Sequence, residues 1–178
     1  MGDAPPIYLV TGIMAAGKST IAQALAERLP RSVHLRGDVF RKFIVNGRAE
    51  MTLELSAEAR AQLDLRYELA AESARRYADA GFTVVLQDVI LGDDLGDMVR
   101  RISVRPLHVV VLAPAAAAVA TREATRSKNG YGQMTPEQLD AAFRATTPRL
   151  GLWLDTTTLS VAETVDHILS HPDTSLVN

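Results

Sequence analysis

Gly12-Ile13-Met14-Ala15-Ala16-Gly17-Lys18-Ser19 fits the pattern G-x-x-x-x-G-K-[ST] at every fixed position. An apolar run, Ile7-Tyr8-Leu9-Val10, leads into it, and a helix-periodic run from Thr20 to Leu29 follows. A strand, a glycine turn and a helix start in that order make a nest of main-chain N–H groups aimed at an anion. Gly12 and Gly17 supply turns that no side chain obstructs. The stretch Gly12, Ile13, Met14, Ala15, Ala16, Gly17, Lys18, Ser19 and Thr20 is thus a candidate cradle for nucleotide phosphates. Lys18 can reach the β- and γ-phosphates, and the Ser19 hydroxyl can ligate Mg²⁺. A chance match in a glycine turn is the weaker reading, because the pattern and its context agree. The ligand implied is a nucleoside triphosphate, ATP by default.

The 178 residues suit one domain, 1–178, with a sizeable core. Nineteen Lys and Arg against 21 Asp and Glu leave a net charge of −2, which gives no global pull towards nucleic acid or an anionic membrane. With no cysteine, the chain has no disulfide, thiolate metal site or cysteine nucleophile. No apolar stretch approaches the ~18 residues of a spanning helix, and Met1 to Pro6 lacks the blocks of a signal peptide. A cytoplasmic protein is the expectation. Oligomeric state is not legible.

Four more strand candidates follow the first: Ser32–Leu35, Thr83–Gln87, Leu107–Leu112 and Gly151–Asp155. Continuous apolar runs of this length suit strands buried on both faces of a parallel sheet. Helical patterns separate them. Ser56–Ala80 is the longest, with Leu63, Tyr67, Leu69, Ala70, Ala74 and Tyr77 as its apolar stripe, and Ala115–Arg126 and Val161–Leu169 are shorter. The alternation predicts a doubly wound α/β domain with five parallel strands and helices on both faces. Ligands of such sheets bind beyond the carboxyl ends of the strands, where the loop at Gly12, Asp38 and Asp88 converge.

Phosphoryl transfer needs cations, a group that orients the attacking oxygen, and an element that excludes water. Asp88 ends the strand Val84-Val85-Leu86-Gln87, a usual place for a carboxylate that holds Mg²⁺ directly or through water; its alternative is a cap for the next turn. Asp38 follows Gly37 and can accept a hydroxyl proton or cap a helix at Val39. Arg122 and Arg126 lie one turn apart before the loop Ser127-Lys128-Asn129-Gly130-Tyr131-Gly132, and Thr135-Pro136-Glu137 opens another helix. This region, about 122–148, reads as a lid that brings guanidinium groups to the phosphates. The insertion 39–81 has room for an acceptor. Of Arg41, Lys42, Arg48, Glu50, Arg66 and Tyr67 within it, only Arg41 is singled out, one turn beyond Asp38; the others read as surface. His167 and His171 read as a solvated helix end, not a metal pair.

Further segments carry a family resemblance. Gln87-Asp88-Val89-Ile90-Leu91-Gly92, Arg122-Glu123-Ala124-Thr125-Arg126 and Asp155-Thr156-Thr157, with the loop at Gly12, resemble the small phosphate-loop kinases that include chloramphenicol phosphotransferase. Shikimate, gluconate and polynucleotide kinases form the wider group. The resemblance spans most of the chain. It implies the P-loop NTPase fold with a helical lid, ATP and Mg²⁺, and transfer of the γ-phosphoryl to a hydroxyl of a small molecule. It also implies that Asp38 is the base, that Arg122 lies against adenine or phosphates with Arg126 nearer the transferred group, and that the loop from Thr157 to Val161 passes the adenine. Asp38-Val39-Phe40-Arg41 departs towards the polynucleotide-kinase pattern Asp-x-x-Arg, which suits an anionic or strongly polar acceptor. The acidic balance and the absence of an aromatic platform weigh against nucleic acid. Two other readings remain open: a polynucleotide or nucleotide kinase, and a nucleotide-binding regulatory module with no acceptor.

Overall fold

The five apolar runs pair side by side in parallel: β1 (Ile7–Thr11), β2 (Ser32–Arg36), β3 (Thr83–Gln87), β4 (Leu107–Leu112) and β5 (Leu152–Leu154), in the order β2-β3-β1-β4-β5. The structure is a computed structural model that describes residues 4–52, 54–124 and 135–177. Every residue of β1, β3 and β4 is buried, as expected of strands covered on both faces. The edge strand β2 is only half-buried. Tyr8 is in register with Val85 on one side and His108 on the other.

The helices are α1 (Lys18–Arg28), α2 (Asp38–Lys42), α3 (Ala57–Asp79), α4 (Asp94–Arg101), α5 (Ala116–Ala124), α6 (Pro136–Thr146) and α7 (Val161–Ser170). α1 packs on the sheet with α7, and α3 packs on it with α4. The stripe expected on α3 is corrected. Leu69 and Tyr77 are 40% and 43% exposed, and the buried side is Tyr67, Ala70, Ala71, Ala74 and Ala78. Small alanines let the helix lie close to β2 and β3, so the larger residues turn outward. α4 was not anticipated, although its buried Leu95, Met98 and Val99 keep helical spacing. Helix starts carry their chemistry: the Ser56 side chain accepts from Ala59 N, and Thr135/Gln138 and Ser160/Glu163 form capping boxes.

The chain closes with α8 (Pro172–Ser175) and β6 (Leu176–Val177), an antiparallel strand against Leu107 and His108. β5 pairs with Val110, Val111 and Leu112, so two short strands share the outer edge of β4. Two residues are too few to show a strand period, and the sequence reading missed β6. His108 stacks on Tyr8 at 4.7 Å, and its Nδ1 lies 2.9 Å from Ser175 Oγ.

The carboxyl ends of β1, β2 and β3 are stitched together. Asp88 N donates to Val10 O at 3.2 Å, and Gly37 N donates to Gln87 O at 3.0 Å. The buried Thr11 hydroxyl donates to Ile90 O at 2.9 Å and accepts from Ile90 N at 3.0 Å. Each such bond is worth about 1 kcal/mol net, and together they fix the edge on which the candidate site sits.

Candidate active site

At the end of β1 the chain turns sharply before α1. Gly12 has φ 149°, Ala15 φ 60° and Gly17 φ 93°. A Cβ on Gly12 would lie 2.5 Å from Leu112 O, so only glycine passes this close to β4. The turn leads straight into α1, whose first-turn N–H groups have no acceptor within the helix. Their dipoles point at the loop, where an anion is stabilised. Lys18 is 9% exposed and its Nζ donates to Ile13 O at 2.7 Å, which holds the ammonium across the loop. Ser19 and Thr20 follow on α1, and both border a surface groove of about 510 Å³ that also meets His34 and Arg36.

The fit to a magnesium nucleotide is chemical. Among the described residues no cluster of three or more His, Cys, Asp or Glu side chains could hold a metal. Mg²⁺ needs no such cluster, because it keeps waters and binds through few protein groups plus phosphate oxygens. Ser19 offers a hydroxyl in the first turn of α1.

Asp38 is the first residue of α2, and Gly37 occupies the N-cap position without a side-chain cap bond. The capping alternative for Asp38 is therefore corrected: its carboxylate is directed elsewhere. It pairs closely with Lys42 and lies 3.6 Å from Arg36 Nε. Burial pushes its pKa up, but the Lys42 hydrogen bond and the charges of Lys42, Arg36 and Arg66 outweigh this, and the net shift is downward. The group is ionised at neutral pH.

Asp88 is 1% exposed and fully engaged. Arg66 grips it in a two-pronged ion pair, with Nε 2.8 Å from Oδ2 and Nη2 in close contact with Oδ1, and Val89 N donates to Oδ1 at 2.7 Å. Its direct partner in the structure is thus a guanidinium. The expectation that Arg66 lies on the surface is corrected, since its side chain is only 12% exposed. Sequence reading missed it because the partners are 22 positions apart, on a helix and a strand end. The one available signal was an arginine on the same side of α3 as the buried Ala70.

Arg41 stands one turn beyond Asp38, as expected. Its Nη2 donates to Ala49 O, and its Nε is buried without a hydrogen-bond partner among the described residues. Thr157 lies on the far side, after β5, where its hydroxyl accepts from Ala115 N at 2.7 Å and its N–H donates to Asp155 Oδ1 at 2.9 Å. These bonds tie the loop after β5 to the start of α5. Arg122 belongs to α5, and Arg126 lies outside the described residues.

The comparisons with known proteins agree with this fold. The AAA_33 family, described as an AAA domain, matches residues 7–149, from β1 to just past α6. The chain belongs to the AAA_33 family. Among curated proteins nothing matches. Solved structures share the fold at low identity. A sugar kinase from Janibacter sp. HTCC2649 has a TM-score of 0.69 at 20% identity, over 96% of each chain. The Mycobacterium tuberculosis APS kinase CysC in complex with AMPPNP and APS has a TM-score of 0.70 at 15% identity, over 97% of this chain and 99% of that one. A gluconokinase from Sinorhizobium meliloti 1021 has a TM-score of 0.62 at 20% identity, over 95% of this chain and 92% of that one. For this AAA_33 member they establish the P-loop NTPase fold, with the five-stranded parallel sheet and flanking helices expected from the sequence. Chloramphenicol phosphotransferase as the particular relative is not shown. No helix among the described residues is long and apolar enough to cross a membrane.

Proposed function

We propose that this protein is an ATP-dependent phosphotransferase that moves the γ-phosphoryl group of ATP onto a hydroxyl of a small molecule. One observation carries the reading. A phosphate-binding turn and an ionised carboxylate held by Lys42 and Arg36 share one edge of the sheet. A nucleotide switch needs the first and has no use for the second. The kinases named above lend support as neighbours of the same fold.

The loop amides and Lys18 cradle the phosphates, and Ser19 would hold Mg²⁺ against them. When bound, Mg²⁺ supplies charge neutralisation at the β- and γ-oxygens. Asp38 accepts a hydrogen bond from the acceptor hydroxyl and keeps its oxygen in line with the γ-phosphorus. The bond from γ-phosphorus to the bridging oxygen breaks, the bond to the acceptor oxygen forms, and the hydroxyl proton passes to Asp38. Its lowered pKa makes Asp38 a weak base, which suffices because a loose transition state leaves the proton on the nucleophile until late. Asp88 acts through Arg66, while Arg122 and Arg126 add charge stabilisation from the lid and Thr157 borders the adenine.

The test is ADP release measured across hydroxylated metabolites, antibiotics and 5′-hydroxyl oligonucleotides. Acceptor-stimulated release by a small molecule supports the proposal. Stimulation by oligonucleotides alone would reassign the acceptor to nucleic acid, and slow hydrolysis indifferent to every acceptor would point to a regulatory module.

A further inference from the structure

β2 ends the sheet on one side, and no strand among the described residues pairs with its outer edge. Its register with β3 runs unbroken from Ser32 to Arg36. Just outside that register Thr83 N donates to Arg31 O and Gly37 N donates to Gln87 O, both at 3.0 Å. Alternate residues of a strand bond to the same neighbour, so Val33 and Leu35 serve β3, and the N–H and C=O groups of Ser32, His34 and Arg36 point outward. An open edge is a template for another strand, and proteins blunt it with prolines, bulges or a covering segment. β2 contains no proline and no bulge, and its Val33 and Leu35 are only half-buried.

The flank of this edge is charged in a definite order. α1 runs antiparallel to β2: Ser32 Oγ donates to Ala26 O, and His34 Nδ1 lies 2.8 Å from Gln23 Oε1. The exposed Glu27 therefore stands beside the amino end of β2, and Arg36 stands at its carboxyl end. Both border the groove of about 510 Å³ that runs along α1 and β2. Arg36 is 48% exposed, and its one ion pair among the described residues, with Asp38, is 3.6 Å long. At the centre, His34 Nε2 is buried without a hydrogen-bond partner among the described residues. An acid at one end of an edge and a base at the other are complementary to the same edge in reverse.

We propose that β2 pairs antiparallel with β2 of a second copy of this chain, about a two-fold axis at His34, so that one sheet runs through both copies. His34 then faces the other copy's His34 and Ser32 faces Arg36, each pair exchanging both main-chain bonds at a Cα separation of roughly 5.5 Å. The axis is perpendicular to the sheet, so both α1 helices lie on one face and each Arg36 meets the other copy's Glu27. On the opposite face Val33 sits across from Leu35 in close apolar pairs. A partner of other sequence would need these charges in this order, whereas a second copy carries them by symmetry. The association is independent of the reaction proposed above, and it anchors the strand whose carboxyl end leads into Asp38.

The experiment is sedimentation velocity of the full chain across the micromolar range. The expected result is a species of twice the chain mass that dissociates on dilution. His34→Pro removes an outward N–H, which an edge strand tolerates in the single chain, and should abolish the dimer while the circular dichroism spectrum is unchanged. Glu27→Arg sets like charges against each other and should weaken the dimer at least tenfold. Adding Arg36→Glu to Glu27→Arg exchanges the two signs and should restore most of the loss. A single-chain mass at every concentration overturns the proposal and leaves the edge to a partner of other sequence. A dimer that persists undiminished in either folded variant overturns it as well. If His34→Pro does not fold, the charge exchange decides: weakening with recovery in the double variant supports the pairing, and weakening without recovery overturns it.

Discussion

Replacing Gly37 by alanine tests the packing beneath the candidate site. Gly37 has φ −63° and ψ −33°, ordinary helical values that alanine adopts freely. At such a position Gly→Ala stabilises a protein by about 0.4–1 kcal/mol, because it restricts the unfolded chain. Here the added Cβ would lie 2.2 Å from Asp88 Oδ2 and 2.7 Å from its Cγ. Asp88 cannot retreat, since Arg66 and Val89 N hold both its oxygens. Overpacking of this kind costs about 1–3 kcal/mol, and rupture of the buried pair costs about 3–5 kcal/mol. The expected net loss is about 1–4 kcal/mol, allowing for the entropic gain. At about 2–4 °C per kcal/mol for a domain of this size, the melting temperature should fall by roughly 2–16 °C. Thermal unfolding by circular dichroism at pH 7.5 reads it directly. An unchanged or raised melting temperature would refute the claim that Gly37 is required by the closeness of a locked carboxylate.

Lys18→Ala should cut turnover by roughly two orders of magnitude or more, as loss of a charge-stabilising donor does; a variant within a few-fold of wild type contradicts the phosphate-loop assignment. Asp38→Asn should keep ATP binding by calorimetry and lose acceptor-dependent ADP release, and unchanged turnover would remove Asp38 from the mechanism. His108 should make stability depend on pH. Burial lowers its pKa, partly offset by a backbone hydrogen bond with Pro172, so the unfolded chain binds the proton more readily. Its contribution is complete above the ordinary value near 6.5 and is lost as pH falls from there through the folded value. His34 shifts in the same direction, through burial and then Arg36, so the informative quantity is the difference between wild type and His108→Phe. The variant keeps a ring against Tyr8 and should lose less stability between pH 7 and 5; identical slopes would remove His108 as a cause.

How much of this was readable in the chain follows from range. β1, β3 and β4 announced themselves because burial on both faces leaves uninterrupted apolar runs, and the loop at Gly12 did so because phosphate contact fixes residue types at consecutive positions. The closeness of Asp38 and Arg41 was legible because both lie on one short helix, α2. Arg66 was not, because its partner is supplied by topology: α3 crosses the sheet and lands the guanidinium beneath the end of β3. Thr11 was missed likewise, since its two bonds reach Ile90 across 79 positions. The α3 stripe misled because amphipathic pattern ranks residues by apolarity, whereas close helix–sheet packing selects the small ones.

The charges at the edge of the sheet form one connected arrangement. Asp38 pairs with Lys42 and Arg36, and Asp88 pairs with Arg66. Asp88 is neutralised by Arg66 where it lies. Asp38 is held ionised by Lys42 and Arg36, with its side chain 32% exposed. A carboxylate locked by a guanidinium beside one held ionised at the end of β2 fits the proposed division of roles, in which Asp88 fixes Arg66 and Asp38 meets the acceptor hydroxyl.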